Sequence, residues 1–184
     1  MAVIFYEVIR PTYENNTMKN FYLIIILSVI SFSSFSQNMT ITTLDSIFNV
    51  VNDKVIREGS KWSFQINEIP LMVIADSTHN RMRIISPITE ISKLNEELKT
   101  ASLMANFHTA LDVKYAIAND VLWSAYIHPL KQLSKEQVVD AISQVYYGNI
   151  NFGTTFSSSS LVFPGGKQKE KPKEDIKQQL LQRI

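Results

Sequence analysis

The sequence predicts an α+β domain, a five-stranded antiparallel sheet packed with helices in the order α-β-β-β-α-β-β-α. Three observations lead there. Apolar residues recur at three-and-four spacing in three separate segments, the mark of helices that bury one face. Between them lie short runs in which apolar and polar residues alternate with period two, as half-buried strands do. Asn119-Asp120 stands between two runs rich in β-branched and aromatic residues, and such a pair tolerates the positive φ angles of a two-residue hairpin turn.

In chain order, the first helix is expected from about Ile41 to Arg57, with Ile41, Leu44, Ile47, Phe48, Val51 and Val55 inward, Thr42 and Asp45 as a capping box, and Gly59 as its stop. Trp62, Phe64 and Ile66 alternate with Lys61, Ser63 and Gln65, which predicts a strand with one wet face. Leu71 to Ala75 is apolar on both sides and reads as central, and Met82 to Ile85 follows the turn-like Ser77 to Asn80. Short connections make these three strands an antiparallel meander. Ser86-Pro87 opens a second helix reaching Met104 or Asn106, with Ile88, Ile91, Leu94, Leu98, Ala101 and Ala105 as its stripe. In the hairpin that follows, Ala116 faces Trp123, Val113 faces Tyr126 and Leu111 faces His128, with Trp123 in the core. The third helix begins at Ser134, with Gln137 completing a capping box and Leu133 and Val138 a hydrophobic staple.

At 184 residues the chain holds one domain with a real core plus appendages. Eighteen basic against seventeen acidic residues leave a formal charge of +1, so no global field draws the protein onto nucleic acid or an anionic membrane. The absence of cysteine removes disulfides, thiolate metal sites, a Cys nucleophile and a lipoprotein attachment site together.

Residues 18–36 read as a secretory signal: a basic start at Lys19, the apolar run Phe21 to Ile30, and a small-residue exit at Ser34-x-Ser36. The apolar run is about half the roughly 20 residues a membrane-spanning helix needs, so no stable anchor is expected after cleavage. Residues 1–17 carry mixed charge ahead of Met18 and read as a mis-assigned start. The domain itself then occupies 37–155. Residues 156–184 read as a Ser-rich, then Lys-rich, flexible tail in which Ile176 to Ile184 forms a helix only if it finds a surface.

The element order, together with Asn106-Phe107-x-x-Ala110-Leu111-Asp112, Tyr115-Ala116-Ile117, Leu122-Trp123-Ser124-Ala125 and His128-Pro129-Leu130, resembles the type III secretion chaperone-like superfamily, which includes the Tir-chaperone CesT-like and YbjN-like proteins. The resemblance covers residues 40 to 155 or so and implies a small, often dimeric, non-enzymatic protein-binding module without a cofactor. The serine-rich exit ending in Gln37 is similar to signal peptides of Bacteroidetes-type bacteria.

The other candidate patterns are incomplete. His79, His108 and His128 with Asp112 fit no metal-ligand spacing, and the first lies in a turn. His108 near Asp112 and Ser124 suggests a nucleophile and its base, but no strand-to-helix elbow surrounds the serine. Gly165-Gly166-Lys167 lacks the first glycine and the hydroxyl of a phosphate loop. The tail lysines alternate with Glu170, Glu174 and Asp175, a solvated pattern. Trp62, Tyr115, Trp123 and Tyr126 are the remaining surface candidates, for a protein partner in the first instance, although aromatics at strand period are more often core. The expected protein is therefore exported, periplasmic or extracellular, without enzymatic activity or cofactor. It binds protein, either itself as a homodimer or an exported polypeptide, and no nucleic acid. The alternative is an exported enzyme or small-ligand-binding protein with an unrecognised site.

Overall fold

The computed structural model describes residues 38–159 and 175–184. The signal-like segment, the Gly165-Gly166-Lys167 stretch and the tail lysines up to Lys173 lie outside the described residues.

Helix α1 spans Ile41–Val51 and buries Leu44, Ile47, Phe48 and Val51. Its cap is Thr40, whose hydroxyl accepts from the Thr43 N–H at 3.1 Å, and not the expected pair Thr42 and Asp45. The helix stops six residues early. Asn52 turns the chain, donating from Nδ2 to the Gln65 carbonyl at 2.6 Å and accepting from the Lys54 N–H at 2.8 Å, the local competition with helix that Asn side chains offer. Ile56–Glu58 then forms strand β1, paired with β2 (Lys61–Ile66) across Gly59 at φ 61°. Gly59 thus serves a hairpin turn and not a helix end, and the sheet has six strands instead of five.

Asn67 and Glu68, both at positive φ, turn β2 into β3 (Ile69–Asp76), and a loop closed by the Asp76 carboxylate on the Thr78 and His79 N–H groups leads into β4. Strand β4 runs from Arg81 to Glu90, straight through Pro87, where a helix was expected to begin. The register slips between Pro87 and Thr89, and this bulge is where a residue without an N–H is tolerated inside a sheet. A single 3-10 turn, Ile91–Lys93, precedes α2 (Glu96–His108), whose N-cap Asn95 accepts from the Leu98 N–H at 2.8 Å. The apolar residues assigned to the longer helix still pack together. Ile88, Ile91, Leu94, Leu98 and Ala105 join Tyr115, Leu122, Phe152 and Phe156 in a small second core.

Strands β5 (Lys114–Ala118) and β6 (Val121–His128) meet at Asn119 and Asp120, with φ 51° and 57°, and Ala116 pairs with Trp123 as expected. The ladder begins at Lys114, so the expected Val113–Tyr126 and Leu111–His128 pairs do not form, and Leu111 sits in a turn at φ 45°. Helix α3 (Lys135–Ile150) carries the full reciprocal capping box of Ser134 and Gln137. Helix α4 (Ile176–Leu181) docks through buried Ile176 and Leu180, an ion pair of Lys177 with Asp140, and the Tyr147 hydroxyl, which accepts from the Ile176 N–H. Ser157 and Ser158 are also buried, so the described parts of the expected tail belong to the domain.

The sheet order is β1-β2-β3-β4-β6-β5, antiparallel throughout. Trp62, Phe64, Leu71, Val73, Met82 and Ile84 point from one face into the main core with α1, α3 and α4. Every second residue points the other way, and none of those belongs to either core. Among the described residues, therefore, the helices cover one face only.

Candidate protein-binding surface

Strand registers place the residues of the uncovered face in rows. Glu58, Lys61, Ile74, Arg83 and Ile127 form one row, and Ile56, Ser63, Met72, Ile85, Ala125 and Lys114 form the next. Ile127 is 59% exposed and Ile56 69%, while Met72 and Ile85 are half-buried. A groove of about 570 Å³ opens at the β1–β3 end of this face, lined by Lys54, Ile56, Ser63, Pro70 and Met72.

A second apolar surface lies on α2, where Leu103, Met104 and Phe107 fall on one side of the helix, with Phe107 87% exposed. Exposed Leu111 follows the helix, and exposed Ile117 lies on the neighbouring strand β5. Asn106 ties helix to strand: its amide donates to the Tyr115 carbonyl at 3.1 Å and accepts the Tyr115 N–H at 2.7 Å. The side chain thereby occupies backbone groups that an edge strand otherwise presents to another chain. The opposite edge, β1, is only three residues long. Both edges are thus blunted, and the surfaces that remain are made of side chains.

The four aromatic residues singled out from the sequence do not form one surface. Trp62, Tyr115 and Tyr126 are buried on the helix-bearing face, which corrects their assignment to a binding surface. Trp123 lies on the opposite face, half-buried, with its indole N–H donating to the Ala118 carbonyl at 3.0 Å, so it is not the core residue expected. Strand periodicity alone does not say which face the helices take. The residues that sequence reasoning missed are Leu103 and Met104 on α2 and Arg83 and Ile127 on the sheet. Arg81-Met82-Arg83-Ile84 does carry the signal, since the arginines mark the face that stays wet.

The polar candidates are engaged in structure. His79 Nδ1 lies 2.6 Å from the Asp76 carboxylate in an exposed turn, and the hydrogen bonds from the His79 backbone and ring hold that carboxyl below its ordinary range. His128 bonds the Pro129 carbonyl, and His108 stacks edge-on with Phe107. Ser124 is fully buried and donates to the Val145 carbonyl at 3.0 Å, so it is not a nucleophile presented to His108. No group of three His, Asp or Glu residues among the described residues is placed to hold a metal. Gln144 bridges Asp112 and Asp140, and burial, together with those two carboxylates, pushes the Tyr126 phenol above its ordinary pKa. A polar groove of about 720 Å³ lies between the end of α1, the β2–β3 turn and α4. Its Asn52, Asn67 and Arg183 side chains bond Gln65, Tyr146 and Val51 of the domain itself. No described helix is long and apolar enough to cross a membrane.

No protein-family model and no curated protein matches the chain. Among solved structures, the HopA1–SchA chaperone–effector complex is similar with a TM-score of 0.49 at 11% identity, over 60% of this chain and 90% of that one. The ExsC–ExsE complex is similar with a TM-score of 0.45 at 10% identity, over 59% of this chain and 88% of that one.

Proposed function

We propose that this is an exported, non-enzymatic, chaperone-like protein-binding module that pairs with a second copy of itself through the flank formed by α2 and β5. The observation that carries the reading is the exposed stripe of Leu103, Met104 and Phe107, three large apolar side chains on one helix side with no covering element among the described residues. Such side chains gain roughly 1.5–3 kcal/mol each when fully removed from water, so a surface that concentrates them favours a protein partner. Export rests on the pattern of Lys19, Phe21 to Ile30 and Ser34-x-Ser36.

Light scattering across a concentration series tests the pairing. The wild-type protein is expected at twice the chain mass, and Phe107→Asp at the chain mass while still folded, because the ring contributes to no core; its melting temperature should fall only by the stabilisation that pairing supplies and should not depend on concentration. A wild-type protein that stays monomeric at every concentration removes the homodimer. Export is checked separately by intact-mass analysis of protein from the native envelope. The expected N-terminus is Gln37, and a retained Met18 in the cytosolic fraction overturns it.

A further inference from the structure

We infer that the uncovered face of the sheet docks an acidic segment of another polypeptide, with a large apolar side chain of that segment seated in the groove beside Met72. The inference rests on the protein-binding reading above and adds to it a face, a partner class and a source of selectivity.

Charge complementarity carries it. Lys61 and Arg83 stand in one row with Ile74 and Ile127, both exposed, and neither has an ion-pair partner among the described residues. Arg81 adds a third exposed cation on the same face of β4. Two acids of this face are engaged elsewhere: Asp76 is folded back on Thr78 and His79, and Glu90 at the end of β4 pairs with Lys93 at 3.3 Å. Two others lie toward the β1 side, Glu58 opposite Lys61 on the edge strand and Glu68 in the β2–β3 turn lining the groove, away from Arg81 and Arg83 on β4. The middle of the face is therefore basic and apolar at once, although the chain as a whole is nearly neutral.

The groove lies one row over from these cations, about 7 Å along the strands, within reach of neighbouring residues of a single extended or helical segment. Seating an apolar side chain against Ile56, Pro70 and Met72 places flanking carboxylates near Lys61 and Arg83. A second copy fits poorly, since a two-fold contact centred on this face sets Arg83 and its neighbouring cations against the same cations, and like charges brought out of water are repelled. A phosphate polyanion also fits poorly, since the three cations are interleaved with isoleucines and phosphate recognition rewards a dense basic track. With Asn106 closing β5 and β1 only three residues long, strand addition at an edge is disfavoured, which leaves the face itself.

Selection of a random peptide library on the immobilised protein tests this, with the wild type compared against Lys61→Glu/Arg83→Glu and Phe107→Asp. Both variants change exposed residues and should remain folded, with cooperative unfolding. The expected result is enrichment of net-acidic peptides that carry at least one large apolar residue. Their affinity should fall by about tenfold or more on the charge-reversed variant, and in raised salt, while remaining unchanged on Phe107→Asp. Enrichment without charge bias, or enrichment that survives charge reversal, overturns the acidic partner while leaving protein binding in place. Binding of phosphatidylglycerol vesicles or of an oligonucleotide with the same dependence on Arg83 makes the face a polyanion site and overturns the inference. No enrichment at all overturns it too, and if the wild type is also monomeric, the protein-binding reading falls with it.

Discussion

Replacing Trp62 by alanine is expected to lower the unfolding free energy by about 3–5 kcal/mol, enough to leave a domain of this size barely folded. The ring is 1% exposed and meets Phe48 edge-on with centroids 5.3 Å apart. Its indole N–H donates to Asp45 at 2.8 Å, Asp45 pairs with Arg57 at 2.8 Å, and the Arg57 guanidinium lies over the ring at 5.3 Å. Truncation leaves a cavity where α1 meets β2 and strips one partner from each end of this small network. Trp62→Phe separates the two effects, since it retains most of the volume, loses the N–H donor, and should cost about 1 kcal/mol for the hydrogen bond plus a smaller packing term. Urea denaturation of both variants measures these values. Trp123→Ala is the contrast, because that ring is half-buried on the uncovered face and its loss should cost about 1 kcal/mol. Equal losses at the two tryptophans would mean that the uncovered face is packed against something in solution.

That contrast shows what was legible in the sequence and what was not. Period-two alternation in Lys61 to Ile66 states correctly that Trp62, Phe64 and Ile66 share a face. It also puts Trp123 on a face of β6, yet the pairing of Ser86 with Ser124 and of Pro87 with Trp123 decides which face, and pairing is a property of the whole sheet. The capping box at Ser134 was legible because its reciprocal hydrogen bonds are local. Helix α1 was overextended for the opposite reason. Val55 continues the helical spacing by chance, while the long-range bond from Asn52 to Gln65, which ends the helix, has no local signature. Pro87 was read as a helix opener because its fixed φ suits a first turn, but the same φ suits a strand when a bulge removes the need for its N–H.

The candidate surfaces were legible only in outline. Periodicity marks which residues share a strand face or a helix side, and both the sheet and α2 carry exposed large apolar residues. Which residues the surfaces comprise depends on helix placement. Asn106 sits within a recognisable run, yet its role in closing the β5 edge depends on α2 ending beside Tyr115. Lys61 and Arg83 are twenty-two positions apart in the chain and share a row only because β2, β3 and β4 form a meander in one register.

Gly148→Val should destabilise the fold by about 1–3 kcal/mol, against the usual expectation that glycine is the weak residue of a helix. Helix α3 lies close on the sheet at this point: a β-carbon on residue 148 would stand 3.1 Å from Val113 Cγ1 and 3.3 Å from the Ser124 β-carbon. Val113 and Ser124 are both fully buried, so neither neighbour can swing into solvent. The helix cannot simply lift, because polar bonds hold it down on both sides of the glycine. The Tyr115 hydroxyl donates to the Gly148 carbonyl at 2.8 Å and Ser124 to the Val145 carbonyl at 3.0 Å. Asn149 donates to Ser86 Oγ at 2.7 Å and to the Pro87 carbonyl at 2.8 Å. Gly148→Ala should come out near neutral, since about 1 kcal/mol of helix propensity offsets a contact a few tenths of an ångström too short. Valine adds two more methyl groups with nowhere to go. Thermal and urea unfolding of the two variants checks the order, and a Gly148→Val midpoint at or above wild type would show that α3 can shift without breaking its bonds to the sheet. Because residue 148 acts on the helix-bearing side, peptides selected on the opposite face should bind the folded fraction of either variant with wild-type affinity, which separates loss of fold from loss of the docking surface.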